Sequence, residues 1–463
     1  MRGLQIRTSA GFVQRATLSA GSRRSLLSRS GTVPIQRLVL TQRTSPSAAR
    51  LQTRNASSAS LPTSGALLQT PLHSVHVAAG AKLVPFAGYE MPLQYPDQSL
   101  SASHIFTRTH ASLFDVSHMA QRLFLGPGAA AFLQRITPSD AEGLGEHRST
   151  LSVLLTNDGK GGIVDDTVVT RLPATPKDGG NRFYVVTNAG CREKDDKYLE
   201  EEMRKWNAEK GEEAKVWQEQ LNGQGLVALQ GPDAEAILAE VLETEKGVDL
   251  KKVYFGQSVY AKVTGLQHEV LISRGGYTGE DGFEISVPGE EAADLTKKLV
   301  ADGQRCKLAG LGARDSLRLE AGMCLYGHDL NEETTPVQAG LSWVIPKARR
   351  SADAGYYGAD VISKQLVPKS KGGSGVESRR VGLVVQGAPA REGAQILSED
   401  GKEIGQVTSG CPSPTLGKNI AMGYVKDGFH KSGTEVEVLV RGRKRKAAIT
   451  KMPFVETKYY KGA

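Results

Sequence analysis

The stretch Gly275-Gly276-Tyr277-Thr278-Gly279-Glu280-Asp281-Gly282-Phe283-Glu284-Ile285-Ser286-Val287 reads as a glycine-rich turn that delivers a tyrosine and three carboxylates to the start of a strand. Phe283, Ile285 and Val287 alternate with Glu284 and Ser286, which predicts a half-buried strand with Glu284 on its polar face. The four glycines let the chain pass close to a ligand or a second strand. An aromatic ring beside a strand-held carboxylate suits a flat, nitrogen-rich heterocycle, because the ring stacks and the carboxylate accepts two parallel N–H bonds. A plain hairpin with solvated acids has the same spacing.

Working outward, Leu151–Leu155, Ile163–Val169, Phe183–Val186 and Leu226–Leu229 also read as strands. Lys194–Glu209, Asp233–Leu242 and Ala313–Gly322 read as helices. Irregular mixing without βαβ spacing predicts an α+β fold with mainly antiparallel sheet. Pro, Ser, Gly, Lys and Arg crowd Lys364–Arg380, which predicts a linker within 346–380. Beyond it, Val381–Val385, Glu403–Val407, Ile420–Val425 and Glu435–Val440 are strand-like runs that predict a small barrel or sandwich over 381–460.

The net charge of +8 belongs to one end of the chain. Residues 1–60 hold ten arginines, no lysine and no acid, and the first acid is Glu90. Setting those ten aside leaves 48 basic against 50 acidic residues, or −2. A globally basic nucleic-acid binder is therefore excluded. The Arg-, Ser- and Leu-rich composition of 1–60 is that of a mitochondrial transit peptide, although a basic disordered tail shares part of it. No apolar run of about 18 residues predicts a membrane span. Cys191, Cys306, Cys324 and Cys411 are scattered, with no spacing for zinc or a disulfide framework, so no metal is expected.

Three further constellations carry chemistry. In Gly161-Gly162-Ile163-Val164-Asp165-Asp166, strand alternation sends the two acids to opposite faces, one into a site and the other toward solvent or a turn. An aspartate in an apolar pocket can orient and help deprotonate an amine, while a solvated strand end reads the same way. Arg314 lies near a helix start with Arg318 one turn on, which suits an anion or an ordinary Arg–Glu pair on a solvated face. Phe114-Asp115-Val116-Ser117-His118-Met119 holds a histidine without triad partners, read as hydrogen-bonded and structural.

These motifs, with Phe86-Ala87-Gly88-Tyr89, Ala313-Arg314-Asp315-Ser316-Leu317-Arg318-Leu319-Glu320-Ala321-Gly322, Thr408-Ser409-Gly410-Cys411-Pro412-Ser413-Pro414 and Lys451-Met452-Pro453-Phe454-Val455, closely resemble the aminomethyltransferase, or T-protein, family of the glycine cleavage system. The likeness runs from about Thr70 to the C-terminus, and Tyr459-Tyr460 matches the eukaryotic mitochondrial type. Tyr89 stands where the family more often has tryptophan. The resemblance implies interleaved antiparallel α/β folate-binding subdomains over 70–345 and a C-terminal β-barrel, arranged around a central folate site. It implies a mitochondrial matrix enzyme that takes an aminomethyl group from the lipoylated H-protein, alongside the P-protein and L-protein. The methylene carbon would pass to tetrahydrofolate, a co-substrate, with release of ammonia.

Carried onto this chain, the resemblance gives Glu284 the pterin N–H edge and sets Tyr277 against the ring. Arg314 would contact the folate and Asp166 would sit at the reacting amines, with Asn188 and Tyr459 as further contacts. Asp165→Asn is then expected to lose far less than Asp166→Asn. Two rivals share the module. Flavin-fused one-carbon oxidases need a Rossmann glycine motif that this chain lacks. A non-enzymatic folate-binding iron–sulfur assembly factor carries a Lys-Gly-Cys-Tyr stretch where this chain has Glu320-Ala321-Gly322-Met323-Cys324-Leu325.

The composition of residues 1–60 predicts import followed by removal. N-terminal sequencing of protein isolated from its own cells should find a start between about residues 45 and 65. Met1 or Arg2 still attached would refute the targeting role.

Overall fold

The structure, a computed structural model, describes residues 66–243 and 247–462. The expected transit segment lies outside the described residues. Eleven strands form one sheet, which is two half-sheets joined at the single pair Gln257–Arg148. The first half runs Cys306–Ala309, Ala111–Asp115, Gly225–Gln230, Gly282–Val287, Glu269–Arg274, Gln257–Lys262. The second runs Arg148–Leu155, Ile163–Leu172, Arg182–Thr187, Ala120–Leu125, Trp217–Gln220. All pairs are antiparallel except Cys306–Ala309 with Ala111–Asp115. The chain enters the first half at Ala111, crosses to the second and returns at Gly225, so the two are interleaved as expected.

Burial explains the layering. Phe283, Ile285 and Val287 join Val227, Leu229 and Ile272 in a core roofed by helices Ala234–Val241 and Gly289–Leu299. Phe124, Phe183 and Val185 do the same beneath Ala129–Ile136 and Arg192–Lys210. Between the half-sheets, Leu123, Tyr184 and Val186 meet Leu226, Ala228 and Leu271. The order is therefore helices, sheet, sheet, helices. The Glu284 strand was expected to be half-buried, but it is covered on both faces. Ser286 is buried, and its hydroxyl donates to Gln121 Oε1 at 2.7 Å.

Six strands close a barrel: Ser378–Val385, Lys418–Lys426, Glu403–Ser413, Gln395–Leu397, Glu435–Val440 and Arg443–Thr450. Val381, Leu383, Ile404, Val425, Val438 and Ile449 point inward by period-two alternation. The stretch 346–380 is a correction. It carries helix Ala359–Leu366, and Tyr356, Ala359, Ile362 and Val376 are buried against Val153, Leu155 and Ile163. Its charged and glycine residues drew attention away from apolar residues at helical spacing.

Glu320 ends helix Leu311–Glu320 and is fully buried. Its carboxylate accepts from Arg108 Nη2 at 2.8 Å, the Thr415 hydroxyl at 2.7 Å and the Ser413 hydroxyl at 2.5 Å, and pairs with His104 Nε2 at 3.0 Å. Burial works against the charge, but the bonds from His104, Ser413 and Arg108 outweigh it and hold the carboxyl at about 2. Ser413 belongs to the barrel and Arg108 to the α/β part, so one anion fastens them together.

Glu320→Ala leaves His104 buried without its anion and Arg108 with Glu280 alone. The expected loss is about 3–5 kcal/mol of stability, read from urea unfolding followed by circular dichroism. A change within about 0.5 kcal/mol, the size of an ordinary surface substitution, would mean that the network carries no weight.

Candidate active site

The glycine turn and three other elements converge. Gly279 has φ +81°, which disfavours any other residue, and a Cβ on Gly282 would lie 2.4 Å from the Leu229 carbonyl oxygen. This tight path brings Tyr277 against the segment after helix Leu311–Glu320, where its hydroxyl donates to the Cys324 carbonyl. The Arg314 guanidinium lies over the Tyr277 ring, 4.7 Å from its centre.

Arg314 Nη1 is buried with no hydrogen-bond partner. Burial pushes the guanidinium down from its ordinary pKa, against the pull of Glu284. Burial in turn pushes the Glu284 carboxyl up, against the pull of Arg314. The two groups feel each other without closing an ion pair among the described residues, which leaves capacity on both for a ligand. Arg318, one turn on, is spent differently. It is buried and bonded to Asp329 and Asp315, both at 2.9 Å, so it is no solvated-face residue.

Asn188 follows strand Arg182–Thr187 and joins the two aspartates. Its Nδ2 donates to Asp165 Oδ1 and to Asp166 Oδ1, each at 2.8 Å, and its backbone N–H donates to Asp165 Oδ2 at 2.8 Å. The expectation that one acid faces solvent or a turn fails, since Asp165 is wholly buried and Asp166 is half-buried. Helix Arg192–Lys210 brings Asp195 against Asp165 and keeps that side of the strand dry. Burial, then the Asp165 charge, push the Asp166 carboxyl up to about 7. Asp166 and Tyr277 lie close enough to perturb each other's charge, so Asp166, Asn188, Tyr277, Glu284 and Arg314 form one neighbourhood.

Tyr459 stands apart. Its ring stacks on Phe255 at 4.2 Å, and its charged neighbours are Arg108 and Glu280. His118 also departs from expectation, because its buried Nδ1 has no hydrogen-bond partner. Burial lowers its pKa to about 4, so the ring is neutral at pH 7. Asp195, which the sequence offered only as one charge in an amphipathic helix, is buried beside Asp165 and Cys191, with ligand atoms of all three within 4.8 Å of one another. Asp165 already spends both oxygens on Asn188 and burial holds the Cys191 thiol protonated, which is poor chemistry for an ion.

Residues 72–349 match the GCVT N-terminal domain family, and residues 379–456 match the glycine cleavage T-protein C-terminal barrel domain. The chain is 47% identical to the probable mitochondrial aminomethyltransferase of Schizosaccharomyces pombe, over 86% of this chain and 95% of that one. It is 46% identical to the mitochondrial aminomethyltransferase of Pisum sativum, over 86% and 92%. A crystal structure of the glycine cleavage system aminomethyltransferase T from Bartonella henselae superposes with a TM-score of 0.75 at 39% identity, covering 86% of this chain and all of that one.

Because Asp166 is raised, it should lose its proton as pH rises through about 7, well above an ordinary aspartate. Carbon-13 NMR of carboxyl-labelled aspartate, assigned by Asp166→Asn, reads this directly. A midpoint near the ordinary aspartate value of about 4 would show that the site is wetter than the geometry states.

Proposed function

We propose a role for each of these groups from one premise: the chain belongs to the glycine cleavage T-protein family. It is a transferase, an aminomethyltransferase of the mitochondrial kind. In our reading it takes the aminomethyl group from the dihydrolipoyl arm of H-protein and passes the methylene carbon to tetrahydrofolate. The carbon leaves one sulfur and one nitrogen and gains two bonds to folate nitrogens. The two hydrogens displaced from those nitrogens end on the thiol and on ammonia.

The observation that carries the reading is Asp166, a half-buried carboxyl whose pKa is raised to about 7 and which is aimed by Asn188. A group poised near neutrality can hold a proton and give it back, which amine attack and ammonia release both require. Glu284 is held on a rigid strand without an ion-pair partner among the described residues, so its carboxylate suits a pterin N–H edge. Tyr277 would pack on the ring. Arg314, with a free buried Nη1, would meet an acceptor on the folate. Tyr459 would act at the edge of the site, through Phe255. The non-enzymatic assembly-factor reading has no comparable use for a carboxyl poised near neutrality. The H-protein would be the direct partner, with the P-protein and L-protein acting on the same carrier, in the matrix.

The role expected for Asp165 changes. Its two bonds from Asn188 fix the amide that aims Asp166, so Asp165→Asn should lose more than alternation alone predicts.

Methylenetetrahydrofolate formation from loaded H-protein, with folate binding by calorimetry, tests the assignment. Asp166→Asn should lose roughly 10²–10⁴-fold in turnover with folate binding largely kept. Glu284→Gln should instead weaken folate binding by about 1–3 kcal/mol. Near-normal turnover in Asp166→Asn, or unchanged affinity in Glu284→Gln, would remove that residue from its role.

A further inference from the structure

Asp195 presents a chemical problem that the proposed reaction leaves unsolved. It lies in the first turn of helix Arg192–Lys210, fully buried, and neither carboxyl oxygen has a hydrogen-bond partner. Its neighbour Asp165 is equally buried, and ligand atoms of Asp165, Cys191 and Asp195 lie within 4.8 Å of one another. Two carboxylates this close and this dry cannot both be ionised. The two sides differ in what they are given. Asp165 accepts two N–H bonds from Asn188, one on each oxygen, and such bonds favour the anion. Asp195 has only the Thr187 hydroxyl nearby, with no bond closed to hydrogen-bond geometry, and a buried anion held so poorly would be costly.

We infer that Asp195 keeps its proton at neutral pH and donates it to Asp165, and that this buried acid pair is the positioning device that holds Asn188 against Asp166. The proton supplies the hydrogen that Asp195 lacks and leaves a single negative charge on the pair. That charge, on Asp165, draws in both the backbone N–H and the side-chain amide of Asn188. The second hydrogen of the same amide then reaches Asp166 Oδ1 at 2.8 Å. Asp195 thus acts on Asp166 through Asp165 and Asn188 and is a positioning residue.

Charged and titratable groups face Asp195 from every packed element. Asp165 comes from strand Ile163–Leu172, Arg122 from strand Ala120–Leu125 and the Thr187 hydroxyl from the end of strand Arg182–Thr187. Cys191 precedes the helix, Lys194 and Tyr198 lie on it, and Tyr326 faces it from the segment after helix Leu311–Glu320. Arg122 favours ionised Asp195, but its Nη2 is held by Asp196 at 2.5 Å and its Nη1 by Thr187 at 2.6 Å, which leaves only its buried Nε without a partner. Burial and the Asp165 charge prevail, pushing the Asp195 carboxyl up to about 9. The role in transfer rests on the function proposed above, whereas the shared proton does not.

Three measurements test it. In wild-type protein labelled with carbon-13 at the aspartate carboxyls, one resonance should titrate near pH 9, and Asp195→Asn should lack it. If every wild-type aspartate resonance has finished titrating below about pH 8, Asp195 is ionised and the inference falls, whether or not any variant folds. In denaturation, the raised folded pKa gives wild type a contribution that is full below about pH 4 and has gone by about pH 9. Asn at 195 can donate as the protonated acid does but does not titrate. The midpoint of Asp195→Asn, relative to wild type, should therefore rise across that window and then level. A flat difference overturns the pair. In the transfer assay, wild type should show an alkaline limb near pH 9 that Asp195→Asn lacks; a shared limb refutes the positioning role. Absence of transfer in wild type would instead count against the proposed reaction, with the first two measurements still deciding on the proton.

Discussion

The fold depends on a buried anion in an unfavourable place. Glu320 sits at the C-terminal end of its helix, where the backbone dipole is already negative, and it is fully buried. It can stay ionised there because Arg108, His104, Ser413 and Thr415 surround it. The donors come from two parts of the chain, His104 and Arg108 from helix Leu100–Thr109 and Ser413 and Thr415 from at and just past the end of barrel strand Glu403–Ser413. Arg108 also donates to the Thr278 carbonyl at 2.6 Å and to Glu280 at 3.0 Å, so the glycine turn is pinned by the same guanidinium. The Glu320 carbonyl accepts from Phe454 N–H at 2.8 Å, which docks the start of the tail. Arg314 rides on the same helix, so the contacts that fix the barrel also fix where Arg314 meets Tyr277.

Two buried arginines outside the site are closed into ion pairs. Arg318 is spent on Asp315 and Asp329, and Arg274 on Asp281 and Glu235. Within the site the balance is left open. Asp166 and Glu284 are pushed up and Arg314 is pushed down, each chiefly by burial. A fold selected only for stability would pair or remove such groups. Their survival on rigid strands and a helix start fits the proposed preorganised site, in which a ligand would supply the missing partners.

Much of this was legible in the sequence, for local reasons. Phe283, Ile285 and Val287 announce their strand by alternation, and the glycines around Tyr277 announce a turn whose φ values other residues avoid. The adjacent acids Asp165 and Asp166, opening a strand behind two glycines, offer a candidate site, although a solvated strand end has the same local pattern. Three things stayed hidden because they depend on residues far apart in the chain. Glu320 is separated from Arg108 by 212 positions, and no periodicity connects them. Strand alternation separates Asp165 from Asp166 but says nothing of Asn188, whose one amide nitrogen reaches both. Asp195 looked like one more charge on a helix rich in Lys and Glu, because only packing removes it from water.

The C-terminal tail extends this logic to Tyr459. After the barrel, the chain returns to the glycine turn and bonds to it by backbone. Lys458 N–H donates to the Gly279 carbonyl at 2.8 Å, and Phe255 N–H donates to the Tyr460 carbonyl at 2.8 Å. The Tyr460 ring lies under the Arg274 guanidinium, 4.1 Å from its centre, while Tyr459 stacks on Phe255. Tyr459 and Tyr460 therefore hold the start of the turn, one by way of Phe255 and the other by way of Arg274. A tyrosine in this position matters to the site without touching its centre. It removes freedom from the loop that presents Tyr277, and so lowers the ordering cost left to be met when a ligand arrives.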